Sequence, residues 1–229
     1  MKLLALDTST EACSAALSIN GEIKQHYQVA PREHTHLILG MIESLLQDAG
    51  LKSSDIDVMA FGRGPGSFMG VRVAAGVVQG IAFAHSIPVV PVSTLAAMAS
   101  VAMQETGQTQ VLAAIDARMK EVYWGAYCQD EAGQIVLQGE ECVVSPEQAP
   151  IPAQGEWLTA GTGWASYGAI MRSALGERCV GSLPECFPSA EAIARLAISA
   201  YQNGGAVTAA EAVPVYLRDN VASKPKSAL

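Results

Sequence analysis

Two aspartates close apolar runs, Asp7 in LALDTSTEACSAAL and Asp116 in AAIDARMKEVYWGA, and an offset of 109 residues lays one segment over the other. A carboxylate at a strand end is a ligand type for Mg2+, and Thr8, Ser9 and Thr10 supply hydroxyls for phosphate oxygens. Two such loops facing each other would form a nucleotide cleft with Asp7, Thr8, Ser9, Asp116 and Arg118 on its walls. The GTGW segment adds Gly161 and Gly163, where a ligand could approach backbone closely. A plainer role exists for each. Short hydroxylated residues usually satisfy turn backbone, and GTGW taken alone is a turn. The second loop also departs from a phosphate cradle, because Asp116-Ala-Arg-Met-Lys carries bulky side chains and no glycine. Arg118 or Lys120 could hold an anion by charge, or pair with Glu121 or with a partner protein.

The segment FGRGPGSFMGVR, residues 61–72, raises a second phosphate question. A nucleotide-triphosphate loop places Lys-Ser/Thr after its last glycine, and no lysine follows here. Ser67 stands instead where a helix N-cap belongs, with glycines allowing a close strand-to-helix turn. The helix that follows, GVRVAAGVVQGIAFAH, is mostly Gly and Ala, although Gly costs about 1 kcal/mol relative to Ala in a helix. Something must pack near its backbone, either the sheet of its own domain or a helix of another subunit. His34 and His36 are two apart and diverge on a helix. HExxH and GxSxG motifs are both missing, so zinc-peptidase and serine-hydrolase chemistry have no sequence support.

These residues must be positioned by ordered elements, and the composition provides for them. Of 229 residues, 50% are apolar and 16% charged, which is the balance of a folded globular chain. The net charge of −8 disfavours a nucleic-acid backbone except through a local basic patch or an indirect contact. The short apolar run of MKLLALDTST is not a signal peptide, and no unbroken run reaches the roughly 18 residues of a membrane span. Five cysteines (13, 128, 142, 179, 186) without a CxxC pair fit reduced thiols, and the expectation is a soluble cytoplasmic protein. Strands are expected over 2–7 and 12–19, with Asn20-Gly21 turning into a third. Helical spacing of Leu37, Ile38, Met41, Ile42, Leu45 and Leu46 follows, with Gly50 as its stop. DIDVMAFG is a strand, Phe68 to His85 a helix, and IPVVPV another strand. The repeat at Asp116 predicts a duplicated α/β unit, with lobes at 1–105 and 106–229 and a boundary inside 103–110. Residues 223–229, with Lys224 and Lys226, should be a dispensable solvated tail.

Taken together, LALDTSTEACSAAL, PREHT, FGRGPGSFMGVR, VPVSTLAAMA, AAIDARMKEVYW, GTGW and PVYLRDNVA resemble the TsaB (YeaZ) family of bacterial tRNA threonylcarbamoyladenosine biosynthesis proteins, end to end. Met69 stands where members commonly show Thr. The resemblance implies an actin-like ATPase/sugar-kinase fold, that is, a duplicated RNase H-like α/β fold with two lobes. It implies a non-catalytic subunit for threonylcarbamoylation of the adenosine next to the anticodon in tRNAs reading ANN codons. Expected partners are a second copy of the chain, the catalytic subunit TsaD, TsaE in a larger complex, and tRNA indirectly. The partner surface would lie on first-lobe helices at about 34–48 and 69–85, with His34, Leu37, Ile38, Met41, Leu45, Arg72, Ala75 and Val78. TsaD carries a metal-binding His-x-x-x-His after a strand like VPVS. Thr94 and Met98 occupy those positions here, and neither is a credible ligand for iron or zinc. No cofactor is firmly implied beyond ATP or ADP with Mg2+ at subunit contacts. The alternative is a weak ATPase or phosphotransferase using Asp7, Thr8 and Asp116.

Overall fold

The computed structural model describes residues 1–218, so the expectation for the 223–229 tail lies outside the described residues. The chain opens as a meander: β1 (Lys2–Asp7), β2 (Ala12–Ile19) and β3 (Glu22–Val29) pair antiparallel. Asn20 and Gly21 both take positive φ at the hairpin, the geometry that suits the right-handed twist of the strands. α1 (His34–Asp48) follows, and Gly50, with positive φ, donates to Gln47 O just beyond its end. β4 (Val58–Gly62) then joins β1 in parallel. α2 (Phe68–His85) starts at Ser67, whose hydroxyl accepts from Gly70 N–H as the N-cap reading requires. β5 (Val89–Val92) completes a five-stranded sheet of order β3-β2-β1-β4-β5.

After α3 (Thr94–Thr106) the same order is built again. β6 (Gln110–Arg118), β7 (Glu121–Gln129) and β8 (Ile135–Val144) form a second meander. β9 (Trp157–Ala160), α4 (Thr162–Leu175) and β10 (Cys179–Leu183) extend it in parallel, giving β8-β7-β6-β9-β10. Asp7 and Asp116 thus stand at equivalent strand ends, as the offset between them suggested. The counterpart of α1 is reduced to a short 3-10 turn at Pro146–Gln148.

Each sheet is covered on both faces, and the covering helices cross between the halves. α1 and α2 bury Ile38, Ile42, Leu45, Ala74, Ala75 and Val78 against one face of the first sheet. The other face is covered by α5 (Ala190–Gln202) through Ala190, Ile193, Ala194 and Ala197, although α5 comes late in the chain. Conversely α3, which comes early, packs Leu95, Met98, Ala99 and Ala102 on the second sheet. A cut at 105/106 therefore separates the two sheets but not the helices that complete them. The last described segment runs back across both halves: Val207 bridges Val89, Val215 N–H donates to Arg63 O, and Arg218 reaches the β6–β7 turn. Among the described residues α2 alone is long and apolar enough to cross a membrane, yet one of its faces is the core surface just described.

Candidate functional site

The loop after β1 is closed by the protein itself. Asp7 is 0% exposed, and its two carboxylate oxygens accept from Ser9, whose N–H lies 3.1 Å and hydroxyl 3.0 Å from Oδ1. Burial pushes the Asp7 carboxyl up to about 7, the Ser9 bonds opposing the rise only in part. Burial, and then the nearby Asp7, push the Cys13 thiol up to about 11. The Thr8 hydroxyl donates to Gly70 O at 2.6 Å and accepts from Ala74 N–H at 3.1 Å. Ser67 N–H donates to Ser9 O at 2.7 Å. The glycines of FGRGPGSFMG make this packing possible, since a Cβ on Gly66 would overlap Ser9 O and one on Gly70 would overlap Thr8 O. The first turn of α2 thus packs directly on the loop that carries Asp7 and Thr8. Asp7 and Thr8, expected on the wall of a cleft, are therefore fully buried in this structure and line no open cavity.

Gly161 and Gly163 have a structural role here. A Cβ on either would overlap Ala114 on β6, so the glycines seat the start of α4 against the sheet.

Ser9, Asp116 and Arg118 are brought together on a different cavity, of about 720 Å3, between the β1 and β6 loops and the N-termini of α1 and α2. Asp116 Oδ1 accepts from Arg118 N–H at 2.8 Å, and Oδ2 faces the Arg118 guanidinium at 3.3 Å. Arg118, Met119 and Lys120 all take positive φ, at 62°, 55° and 62°, in a turn where glycine or asparagine is the easier choice. Arg218 supports that turn by donating to Ala117 O at 3.1 Å and pairing with Glu121. The cavity includes residues the sequence did not single out: Arg32, Phe68, Thr162, Tyr216 and Arg218. Arg72, expected on a partner face, lines it as well. Its guanidinium carbon lies 3.5 Å from the Phe68 ring centroid, and its Nε donates to Tyr216 Oη at 2.8 Å. PREHT and PVYLRDNVA contain Arg32 and Tyr216, but nothing in those strings indicates that they line one cavity.

The helix face also differs from its expected membership. His34, Ile38, Leu45, Ala75 and Val78 are buried beneath α1 and α2, while Leu37 and Met41 are half-buried. The outward stripe of α2 consists of Met69, Val73, Gly76, Val77, Gly80 and Phe83, with Phe83 82% and Met69 64% exposed. Leu39 is the exposed apolar residue of α1. No charged residue falls between Arg72 and His85, and Gly76 and Gly80 face open space. The cause is geometric: the Ile, Leu and Val residues that mark the helices are the ones consumed by the sheet. The signal for the outer stripe was Phe83, a lone large side chain among small ones, seven residues after Gly76 and fourteen after Met69.

Comparison with known proteins agrees with this architecture. A family model described as TsaD, tRNA N6-adenosine threonylcarbamoyltransferase, matches residues 22–226. The chain is 44% identical to the tRNA threonylcarbamoyladenosine biosynthesis protein TsaB of Escherichia coli K12, over 98% of this chain and 97% of that one. It is 42% identical to TsaB of Haemophilus influenzae, over 98% of this chain and 96% of the other. The solved structure of YeaZ from Pseudomonas aeruginosa superposes with a TM-score of 0.89 at 48% identity, covering 94% of this chain and 99% of that one. The duplicated sheets with exchanged helices are the actin-like fold, and the chain belongs to the TsaB (YeaZ) family of tRNA threonylcarbamoyladenosine biosynthesis proteins.

Proposed function

We propose that the chain is a non-catalytic subunit of a tRNA threonylcarbamoyl transferase, acting in the cytoplasm by docking on TsaD through the outer stripe of α2 with Leu39 of α1. The carrying observation is that stripe: apolar, free of charge for a full three turns, and with glycines where a partner helix could approach the backbone. In the absence of TsaD the same surface pairs with a second copy of the chain, and TsaE joins the larger assembly, with tRNA held indirectly. The closed Asp7–Thr8 loop supports a subunit without its own phosphotransfer chemistry, so ATP or ADP with Mg2+ belongs to subunit contacts of the assembly. Thr94 and Met98, both buried, support the same assignment of the metal-dependent step to TsaD.

The test uses Phe83→Glu and Gly76→Leu, which alter the stripe without touching the core. Charging Leu45 or Val78 would test folding instead, because both are buried. Sedimentation of the chain alone and with TsaD should show pairing by the wild type and its loss in both variants, with thermal melts no lower than that of the wild type. Reconstituted tRNA threonylcarbamoylation should require the chain and fall in parallel. Pairing retained by both variants would put the interface on another surface.

A further inference from the structure

Each five-stranded sheet has two edge strands, and the four edges are built differently. β5 is closed by Val207, which exchanges both backbone bonds with Val89. β10 has five residues and a register shift between Cys179 and Gly181, and the pairing of β8 is interrupted opposite Gly125. Such devices keep an edge from recruiting another chain. β3 has none of them, and its eight residues pair with β2 in unbroken register from Glu22 to Val29. The two-residue hairpin makes Ile19 and Glu22 a hydrogen-bonded pair. Ala30 N–H on Glu11 O keeps the same alternation at the far end. Glu22, Lys24, His26 and Gln28 therefore bond to β2, while Ile23, Gln25, Tyr27 and Val29 turn their N–H and C=O groups outward. Among the described residues no backbone group meets them there.

A cavity of about 670 Å3 lies along that stretch of edge. Gln25 and Tyr27 of β3 line it together with Glu105 of α3, Glu185 in the loop before α5, and Glu191 of α5. No Lys, Arg or His is among its lining residues. Glu191 pairs with Arg195, and Glu105 and Glu185 have no ion pair among the described residues. Val101, Pro184 and Phe187 add apolar surface that suits the methylene stem of a long cationic side chain. Lys24, one position from Gln25, projects from the other face of β3 and leaves the carboxylates unopposed. Free main-chain groups fix the backbone of an incoming segment and side-chain charge selects its sequence, and here the two lie side by side. We propose that β3 takes up an extended, Lys- or Arg-bearing segment of a partner protein as a further strand of the first sheet, with the cations in the glutamate-lined cavity. The site uses neither α2 nor the cavity at Asp116, so it stands or falls apart from the docking surface.

Selection of a random peptide library on the full-length chain, followed by titration and backbone hydrogen exchange with an enriched peptide, tests this. Enriched peptides should be rich in β-branched residues and carry Lys or Arg at alternate positions. The amides of Ile23, Gln25, Tyr27 and Val29 should exchange freely in the chain alone and slow by roughly tenfold or more when the peptide is bound. Tyr27→Pro removes an outward N–H and no bond to β2, and should lower affinity by roughly tenfold or more, with Tyr27→Ala costing less. Glu105→Gln combined with Glu185→Gln should weaken binding by roughly threefold or more, as should added salt. Phe83→Glu should leave it unchanged. An empty selection, enriched peptides without basic residues, unprotected amides on β3, or equal binding by Tyr27→Pro would each overturn the proposal. Protection that appears without peptide and grows with chain concentration would assign the edge to a second copy, and would overturn it as well.

Discussion

At the scale of single residues, Asp7 shows how a ligand-like signature is turned into structure. Its sequence context is the same whether the loop lies open or closed, and only the tertiary approach of α2 decides between them. The consequence is measurable through pH. The carboxyl rises from an ordinary 3.8 to about 7 on folding, so between these values the native state holds a proton that the unfolded chain has released. Stability contributed at this position therefore falls as pH climbs from about 4 to about 7 and levels off above, by on the order of a few kcal/mol. Asp7→Asn, which cannot ionise, should melt higher than the wild type at pH 8, with the gap shrinking toward pH 5. Thermal melts across that range check it, and a difference independent of pH would mean that the carboxyl is not protonated in the fold. The same burial makes Cys13 slow to react with a thiol reagent in the native state, even though its neighbour could be mistaken for a catalytic acid.

At the scale of the element, α2 divides its glycines between two tasks. Gly70 faces Thr8 O with no room for a Cβ, whereas Gly76 and Gly80 face open space. Gly70→Ala should destabilise the chain by on the order of 3 kcal/mol, since the backbone it meets cannot yield. Gly76→Ala should raise the stability of the isolated chain by about 1 kcal/mol, as alanine does in an exposed helix interior. Urea unfolding of the two variants separates these effects, and equal shifts would show that the two faces are not distinct. Much at this level was legible beforehand. The limits of α2, its Ser67 cap, the Asn20-Gly21 hairpin and the stop at Gly50 follow from local turn and cap chemistry, which does not depend on distant packing. The direction of each helix face was not legible, because α1 and α2 are apolar around most of their circumference and the sheet takes the bulkiest side. Hence His34, Ile38, Leu45, Ala75 and Val78 proved to be core. The cavity was half legible: Asp116 and Arg118 were visible by repetition, but Arg72 and Tyr216 meet only through the return of the C-terminal segment.

At the scale of the whole molecule, two sheets are bound into one body by exchanged helices and by a buried polar seam. Across Gly125, β8 carries three residues, 139–141, where the pairing shifts between Trp124 and Ala126. That bulge directs Glu141 inward to accept from the Ser93 and Tyr127 hydroxyls, with Arg63 at 3.9 Å. Glu141 and the carboxylate's partners come from both halves: Arg63 and Ser93 from the first, Tyr127 from the second. Glu141 is 9% exposed, so Glu141→Ala leaves two hydroxyls facing each other in a desolvated seam and should cost on the order of 2–4 kcal/mol. Where that loss appears tests the exchange of α3 and α5. All three tryptophans, Trp124, Trp157 and Trp164, lie in the second-sheet core, so their fluorescence reports that half, while far-UV circular dichroism reports both. Because each sheet is completed by a helix from the other half, neither half retains a covered core when its partner opens. In urea the two signals should therefore coincide in the wild type, and in Glu141→Ala they should shift together to a lower midpoint. Separation of the two curves in the wild type would mean that each sheet folds without its borrowed helix. Separation only in Glu141→Ala would make the seam, rather than the exchanged helices, the element that joins the halves.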